Sequence, residues 1–249
     1  MNATETRLNE QLGVLRLLSV QEHYPTLAGE AAQKQWTHVD YLAHLIDGEA
    51  QRRRELSIQR RIAAARFPCI KTLDQFDWNW PKKINRTQVQ NLFRLAFLPE
   101  KANVIFMGGV GLGKSHFACA LGYAACLAGH SFLVTTAVDI INTLTAAQAA
   151  YRLKAEIKRL LAPQILCIDE VGYLPIDKTG ADLLFQVISQ RYERGSIVLT
   201  TNQPYKHWAR IFNNDSTLTS AVLDRLLHHA DTVIIEGKSY RMKDQIEAP

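Results

Sequence analysis

The apolar run "NVIFM" at 103–107 leads straight into "GGVGLGKS" at Gly108–Ser115, and then into the helical pattern "HFACALGYAACLAG" ending at Gly129. A chain that leaves a buried strand through glycines into a helix is building a parallel sheet with crossover helices. Gly108, Gly113, Lys114 and Ser115 fill the complete G-x-x-x-x-G-K-S pattern. Glycines there let backbone N–H groups turn inward around a phosphate without a Cβ in the way. The helix N-terminus adds partial positive charge at the same point. Lys114 supplies a full charge toward β and γ phosphates, and Ser115 offers a hydroxyl to Mg²⁺. Gly109, Val110, Gly111, Leu112 and His116 complete the candidate nucleotide-contacting run.

The rest of the C-terminal part keeps this rhythm. Apolar runs at Val104–Met107, Ser131–Thr135, Ile165–Ile168, Ser196–Thr200 and Thr232–Ile235 alternate with helical stretches. That predicts an α/β fold with a five-stranded, mainly parallel sheet between helices.

Two of these runs end in candidate chemistry. "QILCIDEVG" closes on Asp169 and Glu170, about 55 residues after the glycine loop. A carboxylate at a strand's C-terminal edge can hold Mg²⁺, which falls to Asp169 together with Ser115. The next acid, Glu170, can orient or deprotonate a water for in-line attack on a γ-phosphate. "SIVLTTNQP" closes on Thr200, Thr201 and Asn202. Asn202 reads as a γ-phosphate sensor, or else as a strand-end cap before Pro204.

Upstream of the sheet the pattern is helical. Leu8, Leu12, Leu15 and Leu18 predict a helix over 4–24, and a shorter one follows over 27–35. Thr37 with Asp40 resembles a capping box, opening a long helix to about Arg66 that stops before Pro68. The stretch 67–81 then brackets Phe76, Trp78 and Trp80 between two prolines. These aromatics could pack on an adenine or on the core. The expected organisation is a helical N-terminal domain over 1–67, a linker over 68–81 and an ATPase domain over 82–249.

Composition excludes little and agrees with this. At 47% hydrophobic residues, the 249-residue chain has ample material for a core. No apolar run approaches the roughly 18 residues a membrane span needs. The polar start "MNATETRLNEQLG" does not read as a signal peptide. Cys69, Cys119, Cys126 and Cys167 lack metal-ligand spacing, and neither do the histidines show it, which fits a reducing cytoplasm. Net charge is +5, concentrated between Arg52 and Arg66, where six arginines face one acid, Glu55.

Glycine loop, strand-end acids and polar strand end, in this order, resemble the AAA+ branch of P-loop ATPases. "DEVGYLPID", "GADLLFQVISQRYERGSIVLTTNQP", "LDRLLHHADTVIIEGKSYRMKD" and "YLAHLIDGEAQRRRELSIQRRIAAARFP" narrow this to a resemblance to the IstB family. These are helper ATPases of insertion sequences, related to DnaC helicase loaders. The resemblance covers nearly the whole chain. It implies Asn202 as sensor, Arg225 as an arginine reaching the γ-phosphate on a neighbouring subunit, and Arg241 as a second sensor acting in cis. Residues alone favour ordinary surface charges, with Arg225 paired to Asp224 or another acid and Arg241 solvated; the resemblance reverses that. Little chain follows Ile235, so the usual helical lid domain is expected to be reduced or absent. The resemblance further implies an ATP-dependent homo-oligomer, ring or filament, assembled on double-stranded DNA and directing a cognate transposase.

DNA contact has two candidate sources. Arg52, Arg53, Arg54, Arg60 and Arg61 could follow a phosphate backbone along the long helix, or form a solvated or protein-docking face. In the ATPase part the candidates are Lys178, Arg191 and Arg194, with Lys154, Lys158 and Arg159 as others. No base-reading motif is present. A DnaC-type helicase loader and a stand-alone P-loop enzyme such as a small-molecule kinase are the competing readings. The "QRRRELSIQRRIAAARFP" block fits the transposition helpers better than the loaders.

Overall fold

Successive residues of the strands face opposite sides of one sheet, and both sides are apolar. Val104, Phe106, Phe132, Ile165, Cys167, Val198, Val233 and Ile235 share one core cluster. Ile105, Leu133, Leu166, Ile168, Ile197 and Leu199 belong to another. A sheet apolar on both faces must be covered twice, and helices do so here. The structure is a computed structural model describing residues 3–242. It divides into two compact units, Met1–Arg60 and Arg61–Pro249.

In the larger unit the strands are β1 (Asn103–Gly108), β2 (Phe132–Thr136), β3 (Ile165–Val171), β4 (Ser196–Thr201) and β5 (Ala230–Ile235). All pair in parallel, in the order β2-β3-β4-β1-β5. The five-stranded parallel sheet expected from the sequence is therefore present. β4 is inserted between β1 and β3, so its end lies between the glycine loop and the strand-end acids. That is the kind of strand-order reversal where open α/β sheets bind ligands.

One face is covered by α5 (Lys114–Leu127), α4 (Arg86–Leu92) and the chain from Ile62 to Ile84. The other carries α6 (Ala137–Ala149), α7 (Leu153–Leu161), α8 (Lys178–Arg191), α9 (Trp208–Ile211) and α10 (Ser216–Leu227). Thr136, Asp177 and Asp215 each cap their helix with a side-chain oxygen accepting a backbone N–H. Among the described residues, β5 is followed only by the short 3-10 turn Tyr240–Met242.

The smaller unit holds α1 (Ala3–Val14), α2 (Leu18–Lys34) and most of α3 (His38–Ala65). The Thr37–Asp40 capping box forms as expected, with Asp40 N–H donating to Thr37 Oγ1 and Thr37 N–H to Asp40 Oδ2, both at 3.1 Å. The first two helices divide differently from the sequence reading. The chain breaks at Leu15–Leu17, where Arg16 takes φ 54°, and α2 then runs unbroken to Lys34. Across the break, Leu12, Leu17 and Val20 share one small core with Leu45.

The expected boundary at residue 67 and linker over 68–81 also need correction. The division falls at Arg60, because Ile62, Ala65, Phe67, Leu73, Phe76 and Trp78 all pack in the core of the larger unit. Lys83 and Glu236 form an antiparallel bridge, tying this segment to the chain just past β5.

Candidate nucleotide site

The glycine loop sits where β1 ends and α5 begins. Phe117 N–H donates to the Gly113 carbonyl at 3.0 Å, the first bond of the helix. The amides of Lys114, Ser115 and His116 precede that bond, and Gly113 offers no side-chain cap. A helix N-terminus left in that condition has donors for an anion. Gly113 takes φ 87°, and an added Cβ would stand 2.5 Å from the Phe76 ring. Gly111 takes φ 74°, and an added Cβ would overlap Ser239 Oγ. Both positions need glycine, for conformation and for space.

Lys114 is buried, donating to the Gly109 carbonyl at 2.6 Å with the Tyr173 ring 5.8 Å from its Nζ. Burial holds its ammonium below the ordinary lysine value. Asp169 and Glu170 pull it back up, and Arg241 pushes it down. Arg241 directly follows Tyr240, whose N–H donates to the Gly111 carbonyl of the loop at 2.9 Å. Ser115 Oγ donates to Asp169 Oδ1 at 3.0 Å, so the two expected Mg²⁺ ligands are side by side. The donor set, one hydroxyl and one carboxylate oxygen, suits a hard cation that keeps several waters.

Beside them, Thr201 Oγ1 accepts from Gln203 N–H at 3.1 Å, making the strand-end turn. The Asn202 side chain takes no part in that bond, and its Oδ1 is buried and unpartnered. A buried polar atom without a partner is uncommon and suits an incoming ligand or water. His116 donates its Nε2–H to the Thr72 carbonyl at 2.9 Å, so only its main chain is free for phosphate. Burial lowers its imidazole from the usual value.

Of the two readings of the aromatics, core packing holds for Phe76 and Trp78, and two braces of the glycine loop go beyond it. Phe76 packs on Phe117 with ring centroids 4.1 Å apart, so the supposed linker braces the glycine loop from beneath. The segment after β5 braces it from the other side: Tyr240 N–H donates to the Gly111 carbonyl at 2.9 Å, and Trp80 Nε1–H to the Lys238 carbonyl at 2.8 Å. The Trp80 and Tyr240 rings meet edge to face, 5.6 Å between centroids.

Arg225 lies elsewhere. It lines a cleft with Lys101, Asn103, Gly195 and Ile197, where β1 and β4 begin, and Asn103 Nδ2–H donates to the Leu226 carbonyl at 3.0 Å. The glycine loop is at the opposite end of β1, a strand of six residues, or roughly 20 Å. Arg225 forms no ion pair with Asp224; its guanidinium donates to the Ala221 carbonyl at 2.9 Å and lies 5.0 Å from the centre of the Phe185 ring.

The expected DNA-contacting residues divide. Arg54, Arg60, Lys178 and Arg194 are exposed. Arg53 is exposed but paired with Glu49 at 2.9 Å, and Arg52 is half-buried. Arg191 is a correction: it is 2% exposed and donates to the carbonyls of Leu160, Leu161, Pro163, Gln164 and Ser196. It ties the end of α7 to the starts of β3 and β4 and presents nothing to a phosphate backbone. Burial pulls its guanidinium down to about 10. Arg61 is likewise turned inward, its Nε–H donating to the Gly129 carbonyl at 3.0 Å. His228, His229 and Glu193 lie together with ligand atoms within 4.8 Å, all three exposed, and His228 Nδ1 bonds the Tyr192 hydroxyl at 2.8 Å.

With the site in place, the likeness to known proteins is decisive. The family described as IstB-like ATP binding protein matches residues 10–248. The chain belongs to the IstB-like family. An ATP-binding protein of insertion sequence IS21 from Pseudomonas aeruginosa is 38% identical over 237 residues, 95% of this chain and 89% of that relative. Among solved structures, the DnaC helicase loader aligns with TM-score 0.53 at 19% identity, over 71% of this chain and 99% of that one. AMPPCP-bound DnaA from Aquifex aeolicus aligns with TM-score 0.58 at 17% identity, over 73% and 54%. Those two likenesses carry the fold. For this IstB-like chain the nucleotide is ATP, and no described helix is long and apolar enough to cross a membrane.

Proposed function

We propose that this IstB-like protein hydrolyses ATP at a site shared between neighbouring subunits, assembles on double-stranded DNA, and directs the transposase of its insertion sequence to a target. The observation that carries the reading is the separation of Arg225 from its own glycine loop by the length of β1. An arginine so placed serves a phosphate only on another copy. Such head-to-tail contacts close into rings or continue as filaments.

In this reading, loop amides and Lys114 hold the β and γ phosphates. Ser115 and Asp169 would hold Mg²⁺, which neutralises charge on the phosphate oxygens when bound. Glu170 takes a proton from a water whose oxygen attacks the γ-phosphorus. The bond to the bridging oxygen breaks, its electron pair leaves on ADP, and inorganic phosphate results. Asn202 orients the water or the γ-phosphate. Arg225 of a neighbour, with Arg241 in cis, stabilises the charge of the transition state. Exposed Arg54, Arg60, Lys178 and Arg194 are the remaining candidates for sequence-independent contact with DNA phosphates.

The DnaC-type loader shares this fold, but the matched relative is an insertion-sequence protein over nearly its whole length. That favours the transposition helper. The test is to visualise the protein on duplex DNA with a non-hydrolysable ATP analogue. Analogue-dependent assemblies on duplex support the reading. A monomer whose ATPase rate ignores its own concentration and added duplex overturns it.

A further inference from the structure

β3 and β4 run in register from Ile165 opposite Ser196 to Ile168 opposite Leu199, and resume with Val171 opposite Thr201. Three residues of advance on β3 meet two on β4. Asp169 and Glu170 therefore share one partner position, Thr200: the strand carries a one-residue bulge at its two acids. Bulges re-aim side chains and recur beside active sites. Glu170 is also a non-glycine residue at φ 62°, a left-handed conformation with a cost of its own.

One hydroxyl holds the bulge together. Thr200 Oγ1 accepts the Glu170 N–H at 3.0 Å and donates its own hydrogen to Asp169 Oδ1. Thr200 is fully buried, and its Oγ1 serves no other group in the site. Ser115 donates to the same Asp169 oxygen. A single side chain from the neighbouring strand thus fixes both the carboxylate beside Ser115 and the backbone that aims the next acid.

We propose that Thr200 is a positioning residue for ATP hydrolysis: its hydroxyl locks the Asp169–Glu170 bulge so that Glu170 faces the attacking water and Asp169 faces the cation site. The inference rests on the reading of Glu170 as the water-activating group. Without the hydroxyl, the Glu170 amide loses its acceptor, the left-handed turn loses its anchor, and the carboxylate samples other directions. Nucleotide affinity rests on the loop amides and Lys114, which Thr200 does not touch. Positioning partners of this kind typically contribute about 10- to 100-fold.

The experiment compares Thr200→Val, which keeps the shape and removes the hydroxyl, with Thr200→Ser, which keeps the hydroxyl. Turnover, affinity for a fluorescent ATP analogue and thermal midpoint are read for each, with Glu170→Gln alongside. Thr200→Val should lose kcat by about 10- to 100-fold with analogue affinity nearly unchanged, and Thr200→Ser should restore most of the turnover. Normal turnover in Thr200→Val beside an inactive Glu170→Gln overturns the positioning role alone. Normal turnover in Glu170→Gln overturns the reading beneath it. Amide hydrogen exchange of the unaltered protein gives a readout independent of activity and of variant folding: the Glu170 amide should be protected, and exchange at the rate of an exposed loop overturns the lock.

Discussion

The Ser115 hydroxyl donates to Asp169 Oδ1 across 3.0 Å, joining the first turn of the helix after the glycine loop to the end of β3. Ser115 opens the crossover helix after β1 and Asp169 lies near the C-terminal end of β3, and a parallel sheet brings both to one edge. In the proposed mechanism that pair would hold Mg²⁺. Asp169→Asn should therefore raise the Mg²⁺ concentration needed for half-maximal ATP turnover. A titration of turnover against Mg²⁺ reads this directly, and an unchanged midpoint would remove Asp169 from the metal site.

Glu170→Gln keeps the shape of the side chain and removes its basicity. ATP binding should persist while hydrolysis falls by about 10²- to 10⁴-fold, the range for losing a general base. Complexes on duplex DNA should become long-lived, which a dissociation time course would show. Rapid release from DNA together with ordinary turnover would mean that another group activates the water.

Gly113→Ala adds a methyl group 2.5 Å from the Phe76 ring at a backbone φ of 87°. The expected cost is about 1–3 kcal/mol from the backbone conformation alone, with nucleotide affinity lost as Phe76 is displaced. Calorimetric unfolding and analogue binding measure the two effects. An alanine variant with native midpoint and affinity would show that Phe76 does not brace the loop.

Arg191→Met separates a structural arginine from a DNA-binding one. Five carbonyls lose their buried donor, and even one such buried group left unpaired costs about 1–3 kcal/mol. The variant should be severely destabilised in a denaturant titration. Arg194→Ala, on an exposed side chain, should leave stability near native and weaken DNA binding mainly at low salt. A stable Arg191→Met protein with weakened DNA binding would reverse the assignment.

These residues also show how far a sequence can be read. The placement of Asp169 and Glu170 at a strand end was legible because they follow an apolar run at once, and that of Lys114 and Ser115 at a helix start because a glycine loop joins the preceding strand to a helical pattern. The five strands were legible for the same reason. Arg191 was not, since a charged residue beside Glu193 and Arg194 looks solvated until α7 closes over it. The bracing of the glycine loop was illegible too. Phe76 lies 37 residues before Gly113 and Tyr240 lies 129 after Gly111, and no local pattern announces contacts over such separations. Thr200 stood in plain view as one of three polar residues at a strand end. Its difference from Asn202 lies in register: Thr200 stands opposite the two acids, and only the pairing of β3 with β4 reveals that.

The shared site is tested most directly by mixing two inactive proteins. Lys114→Ala should fail to bind ATP but still lend its Arg225, and Arg225→Ala should bind ATP but lack the guanidinium from next door. The measurement is ATPase rate in the mixture, with duplex DNA present, across the ratio of the two variants. Activity that is absent from either protein alone and peaks in the mixture is the predicted result. A mixture as inactive as its parts at every ratio, or an Arg225→Ala protein fully active by itself, would contradict a site completed between subunits.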